Sequence, residues 1–407
     1  MNPINRPGTH ATNRRTILIS GAGIAGPALA YWLTRYGFAV TVVEKAHAPR
    51  HGGYPIDIRG TALEAVQRMG LMPQLRDAHI DLRRMTFLDG EGGTVAALHP
   101  HTVSGGVAGH DLEVRRGDLT GILYAAARDD VEFLFNDSID TLDQSEHGVD
   151  VTFHGGDHRT FDMLIGADGA HSRTRRTAFG PEEPFHHYLG YRFAIFTMPN
   201  TFGLSHETVM WNTPGRAAAL YAVGETEDVH AFLNFSHPRP KHDALSEPAA
   251  QRELLFETFA DAGWKVPDLL TALHAADDVF FDAVAQIRMP RWSSGRVALV
   301  GDSAYAPSFL TGQGTSLALV GAYMLAHSLA ANSGDYAAGF AAYEHATREF
   351  VSLNQGLVTA GDAALFPTTA QALRQRNDRL RSLDALPAAQ PRPAHSALTL
   401  PDFADLI

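Results

Sequence analysis

The 407-residue chain contains no cysteine, which excludes disulfides, thiolate metal sites, a cysteine nucleophile and any cofactor tethered through sulfur. Basic runs are also scarce. The net charge is −12, and the densest positive stretch, Arg173-Thr174-Arg175-Arg176, is short and reads as a solvated helix face or loop. Nucleic acid and anionic membranes are therefore not expected partners. Long apolar runs are missing too: the most apolar late segment, 316–331, is short and interrupted by Tyr323 and His327, so it does not read as a bilayer span. The first fifteen residues lack the apolar core of a signal peptide and read as a loose leader, so the expected location is cytoplasmic. The 21 histidines show no HExxH or other spaced ligand set, and no metal is expected.

What is present is a globular composition, 45% hydrophobic and 19% charged, in a chain long enough for two domains. Its most informative feature is a glycine-rich turn, Gly21-Ala22-Gly23-Ile24-Ala25-Gly26. An apolar strand precedes it at 16–20, and a stretch of helical period follows through Ala28, Leu29, Trp32, Leu33 and Tyr36. A second apolar strand, 38–43, ends at Glu44-Lys45, with the acid at the separation expected of a dinucleotide fingerprint. Gly21 permits the sharp turn, Gly23 lets backbone approach a pyrophosphate, and Gly26 allows helix to pack on strand. The helix N-terminus offers N–H groups to the phosphates, and Glu44 can accept hydrogen bonds from ribose hydroxyls.

The rest of the chain supports an α/β fold: a Rossmann-like dinucleotide domain with an inserted antiparallel-sheet domain and C-terminal helices. Strand-like pieces fall near 84–88, 94–98 and 131–135. A helix is expected at 61–69, and another at 119–127 with Asp118 as its cap. A further apolar strand stops abruptly at Asp168-Gly169. From 180 to 285 short β-branched and aromatic segments alternate with turns. An apolar strand at 296–300 then delivers a second glycine turn, Gly301-Asp302-Ser303-Ala304-Tyr305-Ala306-Pro307, ending in Gly312-Gln313-Gly314. The expected organisation is a nucleotide domain over 14–179 and 286–333, the inserted substrate domain over 180–285, C-terminal helices over 334–385 and a poorly ordered Pro/Ala-rich tail over 386–407.

These three motifs, spread over about 14–350, resemble those of the single-component FAD-dependent aromatic hydroxylases, the class A flavoprotein monooxygenases that include 4-hydroxybenzoate hydroxylase and the tetracycline-inactivating monooxygenases. The resemblance implies non-covalent FAD, transient NADPH or NADH, and oxygen transfer through a flavin C4a-hydroperoxide. It assigns Asp302 to the FAD ribityl and pyrophosphate region and Arg116, rather than its neighbour Arg115, to FAD. It also gives Asp168 a cofactor-supporting part connected with NADPH. The resemblance matches the stretch containing Arg50, Gly52, Gly53 and Asp57 to a Gly-Gly turn that precedes an aspartate near the flavin, and implies an NADPH role for Arg50. The chain departs from the family at Tyr305, where histidine is common, and at Ser308 or Phe309, which stand in place of a second proline.

Only one dinucleotide fingerprint is in the required strand–turn–helix context, so NAD(P)H has no docking domain of its own. The loop from Pro307 to Gly314 can bring backbone N–H groups to the flavin ring. Tyr191, Arg192, Trp211, Asn212, Tyr221 and Phe235 lie on strands of the insertion and are candidates to line a substrate pocket. No acid–base residue stands out, and Ser303 lacks the GxSxG context of a hydrolase nucleophile. The leading expectation is an NAD(P)H- and O2-dependent FAD monooxygenase, monomeric or homodimeric, acting on an aromatic or polycyclic, antibiotic-like small molecule. The alternative is an FAD-binding protein without redox turnover that binds a ligand or templates a non-redox reaction.

Overall fold

The computed structural model describes residues 14–49, 53–104, 106–107, 109–238, 247–383 and 392–402. Two large sheets organise it. The first has six strands, in the order Ser293–Ser294, Val297–Leu299, Met163–Gly166, Thr16–Ser20, Ala39–Glu44 and Glu132–Phe135. All its pairings are parallel except the short one at the Ser293–Ser294 edge.

Apolar material covers this sheet on both faces, which is why its strands read as continuous apolar runs rather than alternating ones. On one side Ile17 and Ile19 join the cluster containing the helices Ala25–Arg35 and Gly314–Ala331. On the other side Leu18, Val43 and Leu164 meet a three-stranded sheet formed by Ile139–Gln144, Val149–Phe153 and His158–Phe161. The helix Gly314–Ala331 is long and apolar enough to cross a membrane by composition, yet 78% of it is buried inside the protein. It is apolar all round because it is a core helix.

The second sheet has seven strands, in the order Phe280–Ile287, His186–Pro199, Asp228–Ser236, Arg216–Ala222, Glu207–Thr213, Arg84–Leu88 and Thr94–Leu98. The insertion expected over 180–285 therefore does not build it alone. Two strands come from the amino-terminal part of the chain, and Arg84–Leu88 pairs parallel to Glu207–Thr213. Local sequence announces that a strand exists; which sheet it joins is settled by long-range pairing.

Three local expectations are corrected. The helix after the strand Leu112–Arg115 begins at Arg116 with Arg115 at its N-cap, so Asp118 lies in the first turn rather than at the cap. There its negative charge still complements the helix dipole. Arg175, expected on a solvated face, is fully buried. Its guanidinium pairs with Glu182 and donates to the carbonyls of Ser303 and Ala170. The tail, expected to be poorly ordered, packs back over 392–402. Leu398 and Leu400 enter the main core, Thr61 donates to the Leu398 carbonyl at 2.7 Å, and Tyr323 donates to Pro401 at 2.7 Å. Residues 386–391 and 403–407 of that expectation lie outside the described residues.

Candidate active site

The first glycine turn is a main-chain construction. Gly21 has φ +106°, and a Cβ there would lie 2.6 Å from the Ala167 carbonyl oxygen. A Cβ on Gly26 would overlap the Gly21 carbonyl oxygen. At Gly23, by contrast, the nearest group to such a Cβ is an Arg116 guanidinium nitrogen at 3.7 Å. Two glycines thus close the turn and the third leaves room beside a cation. Glu44 braces the turn, one carboxylate oxygen accepting from the Ala22 N–H at 2.8 Å and the other from Ala46 at 2.9 Å. Ile24 stands at the N-cap of Ala25–Arg35, whose first turn carries no acidic residue, leaving its N–H end positive. Lys45 is exposed.

The second turn abuts the first. Gly301 has φ +67°, and a Cβ there would lie 3.0 Å from the Cβ of Ala25, so segments some 280 residues apart in sequence share one wall. Asp302 opens the short helix Asp302–Tyr305. Its side chain reaches open space in the cleft but is hemmed in by protein. That confinement raises its carboxyl above the ordinary range, while the Arg116 guanidinium draws it down. A Cβ on Gly314 would stand 3.9 Å from the Asp302 carboxylate, and one on Gly312, which has φ +65°, would stand 3.3 Å from Asp57. Asp57 in turn pairs with Arg59 at 2.8 Å. The loop is held from behind by Gln286, which donates to the Pro307 carbonyl at 2.9 Å.

Gly21, Gly23, Gly26, Arg116, Asp302, Gly312, Gln313, Gly314 and Asp57 thus form a continuous series of neighbours around one cleft. An extended dinucleotide fits it. Gly23 leaves open space beside a guanidinium, Asp302 presents an acceptor into the cleft, and the buried Gln313 Oε1 has no hydrogen-bond partner, an arrangement that a ligand would satisfy.

Two motif residues sit differently from their neighbours. Both carboxylate oxygens of Asp168 are engaged within its own turn, accepting from the hydroxyls of Ser172 and Thr174 and from the Thr174 N–H. It shapes the loop and the start of Arg173–Phe179. Tyr305 is fully buried and its hydroxyl meets that of Tyr343 at 2.8 Å. The hydroxyl occupies the place that a Cβ on Gly321 would take. Arg50 and Gly52 lie outside the described residues.

The six substrate candidates divide by strand pleat. Arg192, Trp211 and Phe235 share the rear face, where Trp211 and Phe235 pack with Leu255, Phe259 and Leu269 of the helices Pro248–Phe259 and Val266–Ala275. Tyr191, Asn212 and Tyr221 lie on the front face. Tyr191 donates to the Phe366 carbonyl at 3.0 Å, and Asn212 donates to the Leu365 carbonyl while accepting from Arg376. Tyr221 donates to Glu113 at 2.7 Å.

Sequence reasoning missed the rest of the front face. Phe193 and Phe232 of the sheet meet Phe309 of the loop, with ring centroids 4.9 and 5.5 Å apart, and Phe366 closes on Phe309 at 6.1 Å. A signal existed for Phe193, which is two residues from the candidate Tyr191 and shares its face; Phe232, three residues from the rear-facing Phe235, lies on the opposite face and had none. Phe366, reached through the C-terminal helices, carried none. Glu113 was also missed. Burial and the neighbouring Asp57 push its carboxyl up to about 8, with Tyr221 and Arg59 opposing. Among the described residues no group of three or more His, Asp or Glu could hold a metal ion.

Residues 14–354 match the family model described as FAD binding domain. The chain is 42% identical to an uncharacterised Mycobacterium tuberculosis protein over 346 residues, 85% of this chain and 93% of that one. It is 36% identical over 371 residues to a flavin-dependent monooxygenase of an unknown prokaryotic organism, covering 89% and 94% of the two chains. Among solved structures it is similar to the tetracycline destructase Tet(55), with a TM-score of 0.82, 33% identity and coverage of 96% of this chain and all of that one.

Proposed function

The chain belongs to the FAD binding domain family and is an FAD-dependent monooxygenase, and from that premise we propose that it uses NAD(P)H and O2 to hydroxylate a polycyclic, aromatic or enolic small molecule of the tetracycline kind. The observation that carries this reading is the aromatic cluster of Phe193, Phe232, Phe309 and Phe366, whose neighbouring ring centroids lie 4.9–6.2 Å apart. It joins the front of the seven-stranded sheet to the loop between Pro307 and Gly314. Aromatic walls of this kind grip flat, fused rings by offset and edge contacts, and here one wall belongs to the loop that borders the cofactor cleft.

The chemistry that FAD supplies when bound is two-electron reduction by NAD(P)H and insertion of one oxygen atom of O2 into the substrate. The residues of this chain bind, orient and exclude water. The N–H groups around Gly23, Ile24, Ala25 and Gly26 receive the pyrophosphate, with Arg116 beside them as a countercharge. Glu44, already oriented by two backbone N–H groups, retains acceptor capacity for ribose hydroxyls, and Lys45 adds an exposed cation at the same end. Asp302 receives hydroxyls of the ribityl chain, and Gly301 lets the two turns meet. Gly312, Gln313 and Gly314 bring main-chain amides and the N-terminus of Gly314–Ala331 to the ring, with Pro307 and Asp57 shaping the loop. Asp168 acts by positioning the turn behind the cofactor. Arg50 is the proposed contact for transient NAD(P)H. Tyr191, Asn212 and Tyr221 line the substrate side.

The test is NADPH and NADH oxidation by the purified protein with tetracyclines and hydroxylated polyketides, with mass spectrometry of the products. The expected result is substrate-stimulated oxidation and a product heavier by one oxygen. Oxidation unchanged by every compound, with no oxygenated product, overturns the reading. Asp302→Ala is expected to purify with little or no bound FAD, measured by visible absorbance; full yellow colour removes Asp302 from the cofactor site.

A further inference from the structure

The two-stranded ribbon formed by Pro55–Ile58 and Leu112–Arg115 places Asp57 and Glu113 directly opposite each other, so both carboxylates leave the ribbon on one side. That side lies between the two halves of the site. Asp57 adjoins Gly312 of the loop, and Glu113 accepts a hydrogen bond from Tyr221 on the front face of the seven-stranded sheet. Tyr221 itself belongs to a polar row. Its direct partners on the neighbouring strands are Thr208 and His230, whereas the next front-face row, Met210, Ala219 and Phe232, is mostly apolar. A ring system held by the phenylalanines thus has one polar flank, and Glu113 is at it.

We propose that Glu113, oriented by Tyr221, exchanges a proton with an ionisable enol or phenol hydroxyl of the substrate. The inference rests on the polycyclic, hydroxylated substrate class argued above. In the step, which starts from the ionised form of Glu113, the substrate O–H bond breaks, its electron pair remains on the substrate oxygen and enriches the conjugated ring, and the proton forms a new O–H bond to the Glu113 carboxylate at Oε2. After oxygen transfer the same proton returns to the product oxygen. Tyr221 is the positioning residue: its O–H holds Oε1 and leaves Oε2, which has no hydrogen-bond partner among the described residues, for the exchange.

The groups around Glu113 explain why it suits this task. Asp57 pairs with Arg59 at 2.8 Å, and Asp111 lies 3.9 Å from the same guanidinium. One carboxylate of the opposed pair is thereby held in an ion pair, and the other, facing it in a confined site, has its affinity for a proton raised toward the working pH. Arg115 stands two residues along the same strand and acts on His230, whose own protonation is disfavoured by burial and by that arginine. His79 contacts only the backbone of Glu113. A base whose affinity for protons lies near the working pH is the most effective kind.

The test uses FAD-loaded wild type, Glu113→Gln and Tyr221→Phe, with alizarin as probe, a dihydroxyanthraquinone whose visible absorption moves to the red when a hydroxyl ionises. Retained flavin absorbance reports that each variant is folded and loaded. Titration of the bound probe should show the ionisation midpoint in Glu113→Gln raised by about one pH unit over wild type, a tenfold change in proton affinity, with Tyr221→Phe between the two. Infrared difference spectra of wild type should show a carboxyl band that titrates near neutral pH and is missing from Glu113→Gln. Alizarin bound equally by all three proteins with one common midpoint, or no titrating band in wild type, overturns the role of Glu113 and leaves the substrate class standing. Alizarin that does not bind wild type overturns both.

Discussion

The two faces of the seven-stranded sheet are built from the same strands, yet they do different work. On the rear, Ala194, Phe196, Trp211, Leu220, Leu233 and Phe235 close onto two helices and are almost completely buried. On the front, Phe193, Phe232, Asn212 and Tyr221 meet the ribbon, the cofactor loop and the C-terminal helices. Neighbouring residues such as Trp211 and Asn212 thus have separate partners, the first the two rear helices and the second Leu365 and Arg376 at the front. Residue type does not tell them apart, because aromatic side chains serve both faces; parity along the strand does.

That contrast is open to direct attack, and the largest effect is expected at the rear. Phe235→Ala removes a side chain 1% exposed and should cost about 3–5 kcal/mol, measured by denaturant unfolding, while the protein that remains folded keeps its FAD. Phe232→Ala, on the half-buried front of the same strand, should cost less stability, about 1–2 kcal/mol, and lower kcat/KM for a polycyclic substrate about tenfold. Equal stability losses with unchanged kinetics would erase the distinction between the faces. Smaller again is Trp211→Phe, which retains most of the packing but loses the indole N–H donated to the Gly90 carbonyl at 3.0 Å. A loss of about 0.5–1.5 kcal/mol is expected in the same unfolding measurement, with no change in KM.

The smallest effect concerns the link between the two sheets. His171, just beyond Asp168-Gly169, contacts Glu182 at 2.9 Å and Asp282 of the strand Phe280–Ile287 at 3.2 Å. Hydrogen bonds to Asp282 and then Glu182 push its imidazole up to about 10. A folded-state value above the unfolded one stabilises the fold fully below the ordinary histidine range, and that stabilisation is lost as pH rises through the folded value. His171→Gln should therefore melt below wild type at pH 6, with the gap closing by about pH 10. The side chain is 56% exposed, so solvent screening keeps the gap small. A gap that persists unchanged at high pH would mean that shape, not charge, makes the link.

Much of the nucleotide-domain fold was legible in the chain because its constraints are local and main-chain in origin. Gly21, Gly23 and Gly26 are spaced by the turn itself, and Gly301 and Gly312 carry positive φ. Glycine is the residue that adopts such conformations without strain. The acid at Glu44 follows from the length of one strand–helix–strand unit. Arg175 was misread because three arginines in four residues resemble a solvated run, and only the fold reveals that the middle of the helix faces Ser303 and Glu182.

By itself the sequence determined the strand–turn–helix units, their glycines and acids, and the presence of two structural halves, since each arises from steric limits and periodicity within about thirty residues. Tertiary structure decided that Arg84–Leu88 and Thr94–Leu98 join the second sheet, that the tail returns to the core, and that Phe193, Phe232, Phe309 and Phe366 meet in one cluster. It also placed Glu113 opposite Asp57 and beneath Tyr221. Such meetings depend on pairing between strands and on packing across layers, which no local pattern encodes.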